Sequence, residues 1–278
     1  MSHSAHDVAA VFGRAAHVYD TVVPFFAEFG ARLVDAAGLR AGEAVVDVGS
    51  GRGAALLPAA ERVAPHGRAV GVDLSPEMVA LLAGELGRRG LAQASVIHGD
   101  AEALRLDDGE FDVALASFVL HLLPDPARAA AELHRVVAPG GRCAVSAPSA
   151  TGPGWEFLGR LFGAFAPRAK APVALPFRPD FDLAGVVAAA GFAVAEATVE
   201  TATFAFADEH AWWDWAWSHG MRSLFEVLDE SDLAALQREA FVELEKLATP
   251  EGISLEQSAA FVVATKGQVS DDPPRAAR

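Results

Sequence analysis

The stretch Val45-Val46-Asp47-Val48-Gly49-Ser50-Gly51-Arg52-Gly53 constrains this chain more than any other. An apolar run of strand type ends in a burst of glycines, and a helical pattern, Ala54 to Val63, follows. A strand that feeds a helix through glycines lets a bulky cofactor lie against bare backbone at a helix N-terminus. The next strand-like run, Arg68 to Val72, ends in Asp73, 20 residues after Gly53. A carboxylate at that distance meets ribose hydroxyls. The unit therefore predicts an adenosine-containing cofactor. The glycines alone leave its identity open, because Gly49-Ser50-Gly51-Arg52-Gly53-Ala54 fits the dinucleotide pattern G-x-G-x-x-[GA] as well as G-x-G-x-G.

Strand-like and helical runs alternate beyond this point. Ala94 to Ile97 is closed by His98-Gly99-Asp100-Ala101, and Phe111 to Ser117 forms a fourth strand. Arg135-Val136-Val137-Ala138 leads through a turn at Pro139-Gly140-Gly141 into a fifth, Cys143 to Ala147. Ser75-Pro76-Glu77 opens one intervening helix with an N-cap serine and a proline at N1, and Pro124-Asp125-Pro126 opens another, Ala127 to Val137. This βαβα order predicts a mainly parallel, doubly wound sheet whose ligands lie at the carboxyl ends of its strands. Gly49, Asp73, Asp100 and Ser117 all fall at that edge.

Taken in order, these segments resemble the successive motifs of the class I S-adenosylmethionine (SAM) dependent methyltransferases. The resemblance is closest to the small-molecule branch that includes the ubiquinone/menaquinone C-methyltransferases (the type 11 domain). It covers Phe12 to about Pro148 and is only architectural from Thr151 onward. It implies a Rossmann-like α/β fold: a doubly wound, mainly parallel, seven-stranded sheet with an antiparallel last strand and a helical cap. It also implies roles. Gly49, Gly51 and Gly53 let the backbone approach the methionine moiety and ribose, and Asp47 stands near the methionine ammonium. Asp73 accepts bonds from both ribose hydroxyls, and Leu74 packs on the adenine. Asp100 faces the adenine amino group, Ala101 offers its backbone N–H, and Ser117 lines the methionine side. Each acid also has a plain reading as a strand-end cap or turn residue.

The expected organisation is an N-terminal helical flap (1–40), a SAM-binding core (41–150), the rest of the core with an inserted acceptor cap (151–266) and a disordered tail (267–278). Within it, Val22 to Ala37 and Phe181 to Ala190 read as helices and Phe192 to Phe206 as a strand. Thr151 to Asp180 reads as irregular or partly helical, Asp208 to Leu247 as helical, and Ser258 to Thr265 as the closing strand. The acceptor walls fall to the aromatic segments Val11–Phe29, Trp155–Phe177 and Ala211–Phe225. Trp212, Trp213, Trp215 and Trp217 either line a pocket or pack the cap. Tyr19, the only tyrosine, lies in a Tyr-Asp pair that resembles the entry segment of this branch. It either approaches the cofactor or anchors the flap.

A net charge of −15 argues against nucleic-acid binding and against docking on anionic membranes, and points to a neutral or apolar small acceptor. The single cysteine, Cys143, forms no internal disulfide and reads as a buried hydrophobe. No histidine or cysteine spacing suits a metal. No apolar signal region or membrane-spanning run is present, so no membrane insertion is expected and a cytoplasmic enzyme is the default. Assembly with further copies is left open.

The predicted function is SAM-dependent methyl transfer to a hydrophobic small molecule, a secondary metabolite or quinone-like compound, at oxygen, carbon or nitrogen. A base is needed only if the acceptor arrives protonated. His121, after the fourth strand, is the first candidate; His219 and then His210 follow from the cap. The alternatives are an NAD-dependent oxidoreductase and a SAM-binding protein of this fold that transfers no methyl.

Overall fold

The computed structural model describes residues 4–149, 153–175, 178 and 181–268. One sheet organises them. Its strands are β1 (Ala44–Val48), β2 (Arg68–Asp73), β3 (Ala94–His98), β4 (Phe111–Ser117), β5 (Val137–Pro148), β6 (Ala193–Phe206), β7 (Ala248–Thr249) and β8 (Gly252–Thr265). The order is β3-β2-β1-β4-β5-β8-β6, with β7 pairing β8 off this path. The first five strands are mutually parallel, and β8 runs antiparallel to both β5 and β6. The expected seven strands are therefore the main path, and the two-residue β7 is an addition.

The near-continuous apolar runs of β1 and β4 suit strands covered on both faces. Alternate residues separate. Val45, Val113 and Leu115 pack with α2 (Phe25–Ala37) on one face, while Val46, Ala114 and Ala116 pack with α5 (Pro126–Val136) and α7 (Leu183–Ala189) on the other. The first face also gathers α6 (Pro153–Phe165), α8 (Glu209–Trp217) and α10 (Glu230–Glu245). Phe29 and Phe261, buried in that cluster, each contribute roughly 1.5–3 kcal/mol by leaving water.

The helix starts follow their caps. Ser75 accepts the Met78 N–H at the start of α4 (Pro76–Arg89), and Asp125 accepts that of Arg128 at α5. The expected N-terminal helical flap contains a regular helix, α1 (Ala5–Ala15), held by a Ser4–Asp7 capping box. Helix α2 begins at Phe25 rather than Val22, because a residue before proline is driven from helical backbone and Pro24 follows Val23. Asp20 takes the place of a local cap: its carboxylate accepts the N–H groups of Phe26 and Ala27, each at 2.9 Å.

Three expectations are corrected. Pro139-Gly140-Gly141 is not a turn before β5 but a bulge within it. Phe111 pairs with Val137 and Val113 with Arg142, and Gly140 supplies the left-handed residue at φ +81°. The helical stretch Asp208–Leu247 breaks into α8, α9 (Arg222–Phe225) and α10, because Ser218 closes α8 on the Trp215 carbonyl and Asp229 caps α10 anew. The glycine loop does not lead straight into a helix, since α3 (Leu56–Val63) starts only after a further turn. The expected disordered tail beyond residue 268, the Trp155 side chain and Phe177 lie outside the described residues.

Candidate cofactor and acceptor site

The glycine loop turns back on β2. The Gly49 and Ser50 N–H groups both donate to the Val72 carbonyl, at 2.7 and 3.0 Å. Gly49 has φ +71°, and a Cβ there would lie 2.4 Å from Val119 Cγ2, so only glycine fits. Gly51 also has positive φ, but a Cβ there would meet nothing within 4 Å, because it faces open space. Its N–H donates to Asp73 Oδ2 at 2.7 Å, while Asp73 Oδ1 accepts from Ser75 N–H at 2.8 Å. Asp73 thus stitches the loop to the start of α4. Its pKa is raised by burial, with these backbone donors opposing.

Asp73, Leu74, Asp100 and Ala101 line one cavity of about 700 Å³, counted with its mouth, roofed by Val8, Ala9 and Phe12 of α1. A smaller space of about 290 Å³ holds Asp47, Arg52 and Phe26. Gly49, Gly51, Tyr19 and Ser117 border both, which makes them compartments of one site. Asp47 is 1 % exposed, and neither carboxylate oxygen has a hydrogen-bond partner. Its pKa is pushed up to about 8, by burial first and by the Asp73 charge second. The Leu56 amide stabilises the anion weakly from outside hydrogen-bond geometry. Arg52 Nη1 donates to the Ala16 carbonyl at 2.6 Å, while its Nε is buried without a partner. An orphan carboxylate and an orphan guanidinium N–H in one small compartment fit the two ends of an amino-acid zwitterion.

A third cavity of about 780 Å³ lies beyond. Its walls are mostly Phe25, Phe26, Phe118, Leu158, Phe162 and Trp215, and its polar lining is Tyr19, His121, Arg178 and His219. Tyr19 borders all three spaces, stacked on Phe26 at 4.5 Å and edge-on to Phe12 at 6.1 Å. Its phenol is raised well above 10.0, chiefly by burial. Phe118 borders the first and third cavities and holds φ +57°, rare for a residue with a side chain. Its N–H, bonded to the Ser146 carbonyl at 3.0 Å, holds that turn at the end of β4.

The two candidate histidines do face the third cavity, but burial drives each down to about 3. Arg178 adds to the effect at His121. Both imidazoles are therefore neutral across the physiological range and poor proton acceptors. His219 Nδ1 accepts the Met221 N–H at 3.3 Å, which leaves the ring proton on Nε2, where no partner is present. His210 packs on Phe241 at 4.9 Å and lines none of the three cavities. Of the α8 tryptophans Trp215 alone lines one of these three cavities. Trp212 is fully buried, Trp213 stacks on Phe225 at 4.6 Å, and Trp217 lies 5.0 Å from the same ring.

Gly53 shapes the loop at φ +89° without lining any of the cavities. The buried Cys143 thiol is pushed up to about 12 by burial. Among the described residues no cluster suits a metal ion, and no helix is long and apolar enough to cross a membrane. Sequence reasoning missed Arg52, Phe118 and Arg178. The first two stood inside or beside motifs already singled out; Arg178 had no motif around it.

A family model described as a methyltransferase domain matches residues 46–145. Nocamycin O-methyltransferase of Saccharothrix syringae is 35% identical over 270 residues, covering 91% of this chain and 96% of that protein. Demethylmenaquinone methyltransferase of Thermus thermophilus is 38% identical over 114 residues, covering 41% of this chain and 51% of that protein. Among solved structures, the YcgJ protein of Bacillus subtilis superposes with a TM-score of 0.61 at 19% identity over 87% of this chain and 99% of its own, a likeness of fold.

Proposed function

This chain belongs to the SAM-dependent methyltransferases, and from that premise we propose that its three adjoining cavities divide the work of methyl transfer to a small hydrophobic acceptor of secondary metabolism. In this reading the cavity of Asp73 and Asp100 takes the adenosine, the compartment of Asp47 and Arg52 takes the amino-acid end, and the aromatic cavity takes the acceptor. Asp73, already fixed by two backbone donors, keeps lone pairs for the ribose hydroxyls. Leu74 packs beside the adenine, and Asp100 and Ala101 meet its polar edge. The observation that carries the assignment is the orphan pair Asp47 and Arg52 beside the glycine loop.

Bound SAM supplies an electrophilic methyl on a sulfonium, so the protein's task is chiefly alignment. Tyr19 and Phe118, which border donor and acceptor spaces alike, form the collar through which the reacting atoms meet. Phe25, Phe26 and Trp215 exclude water and hold a ring system flat. Helix α1 closes the roof, tied to the cap by the Arg14–Glu226 ion pair. Oxygen is the acceptor atom we favour, since the relative that spans nearly the whole chain is named an O-methyltransferase.

Calorimetric titration with SAM, S-adenosylhomocysteine and NAD tests the donor side. We expect the first two to bind and NAD not to, and Asp47→Asn and Arg52→Met each to weaken binding about tenfold or more. Binding of NAD without SAM, or full SAM affinity in both variants, overturns the assignment.

A further inference from the structure

We propose that the acceptor enters as an organic anion, an ionised oxygen on an aromatic or polycyclic body, held by the guanidinium of Arg178. The inference rests on the methyltransferase reading above and narrows its acceptor. The chain carries 37 acidic residues against 22 lysines and arginines, yet among the described residues no acid lines the acceptor cavity and an arginine does. Many arginines elsewhere pair with those acids, among them Arg14, Arg32, Arg68, Arg135 and Arg142. Arg178 forms neither an ion pair nor a hydrogen bond among the described residues, although it is half-buried against phenylalanine and leucine walls. Holding a guanidinium there without a partner is unfavourable; a bound carboxylate or enolate repays it through a two-pronged contact. The neutral acceptor expected from net charge alone does not use this group.

The rest of the lining points the same way. A protonated hydroxyl acceptor needs somewhere to leave its proton. His121 and His219 are buried and held neutral, Tyr19 keeps its phenol proton, and no carboxylate among the described residues faces the cavity. An ionised acceptor needs no base. Its oxygen lone pair forms the new O–CH₃ bond while the C–S bond breaks, and that electron pair goes to sulfur. The sulfonium becomes the thioether of S-adenosylhomocysteine, the anion becomes a neutral ester or ether, and no proton changes hands.

The test compares aromatic carboxylates of one to three rings, up to anthraquinone-2-carboxylate, with their primary carboxamides. Each is titrated into protein saturated with S-adenosylhomocysteine, and saturation is measured first. We expect the best carboxylate to bind at least tenfold more tightly than its amide. Arg178→Met should bring the carboxylate down to the amide, leaving amide affinity unchanged as proof that the cavity is intact, and Arg178→Lys should keep part of the preference. Equal affinity for the two members of every pair, no carboxylate binding at all, or a preference that survives Arg178→Met overturns the inference. Failure to bind S-adenosylhomocysteine instead refutes the methyltransferase assignment of the cavities, so the two failures are distinguishable.

Discussion

In the ligand-free protein the carboxyl of Asp47 is mostly protonated at neutral pH, its pKa standing near 8 instead of 3.8. An ammonium group brought into the same compartment restores the anion, so binding of the amino-acid end of the cofactor expels a proton. Apparent affinity then follows the ionised fraction of Asp47, which is about 1% at pH 6 and about 50% at pH 8. Affinity for S-adenosylhomocysteine, whose amino group stays protonated through this range, should rise roughly fifty-fold between those pH values and level off above them. Calorimetry in buffers of different ionisation enthalpy should count close to one proton released per ligand below pH 7. Asp47→Asn should abolish both the proton release and the rise. The same shift carries a stability sign. Because the folded pKa is raised above the unfolded value, the contribution of Asp47 is fully present below about 3.8 and is lost as pH rises through about 8. The ligand-free wild type should therefore melt lower at pH 8.5 than at pH 6, and Asp47→Asn should flatten that slope. One dissociation constant at pH 6 and pH 8 for the wild type refutes the reasoning.

Asp73→Ala should weaken S-adenosylhomocysteine binding about tenfold or more and also cost about 1–3 kcal/mol of stability, since the Gly51 and Ser75 N–H groups lose their acceptor; unchanged affinity in a folded variant moves the ribose elsewhere. Gly49→Ala should cost at least about 1–2 kcal/mol from its positive φ, with the clash on Val119 added, whereas Gly51→Ala should show only the backbone part. Denaturant midpoints that rank the two in the opposite order contradict the geometry. Arg14→Ala should change global stability by less than about 1 kcal/mol, because the pair with Glu226 is half-exposed, yet speed hydrogen exchange through α1. Equal exchange in the two proteins removes the tie between flap and cap.

The sheet was legible because its signals are local and repeated. Val45–Val48 and Phe111–Ser117 are largely apolar runs of strand length, and Ser75 and Asp125 mark helix starts by side-chain chemistry alone. The bulge in β5 was not, since Pro139-Gly140-Gly141 has the same composition in a turn as in a bulge, and only the pairing with β4 decides. The acids along the strand edge were legible for the same reason as the strands. Arg52 and Arg178 were not: an arginine's meaning lies in whether its guanidinium finds a partner, and that depends on residues far away in the chain. The histidines show the converse. The places of His121 and His219 beside the third cavity could be read from order along the chain, but their loss of basicity comes from packing by Phe118, Phe26 and Trp215.

The three cavities meet at Tyr19, but in the proposed assignment the rest of their walls draw largely on different parts of the chain. Every residue named for the donor side from Asp47 to Ser117 lies within the stretch shared across the family, whereas Phe25, Phe26, Leu158, Phe162, Arg178, Trp215 and His219 all lie outside it. Only Phe118, His121 and Leu122 belong to both the shared stretch and the acceptor wall. In that assignment an acceptor is exchanged by changing mainly two flanking segments, with the matched stretch left largely as it stands. For an engineer the corollary is a graft: residues 4–29 and 153–225 of one such enzyme set on the 46–145 core of another, with the positive-φ residue at 118 as the joint to be preserved.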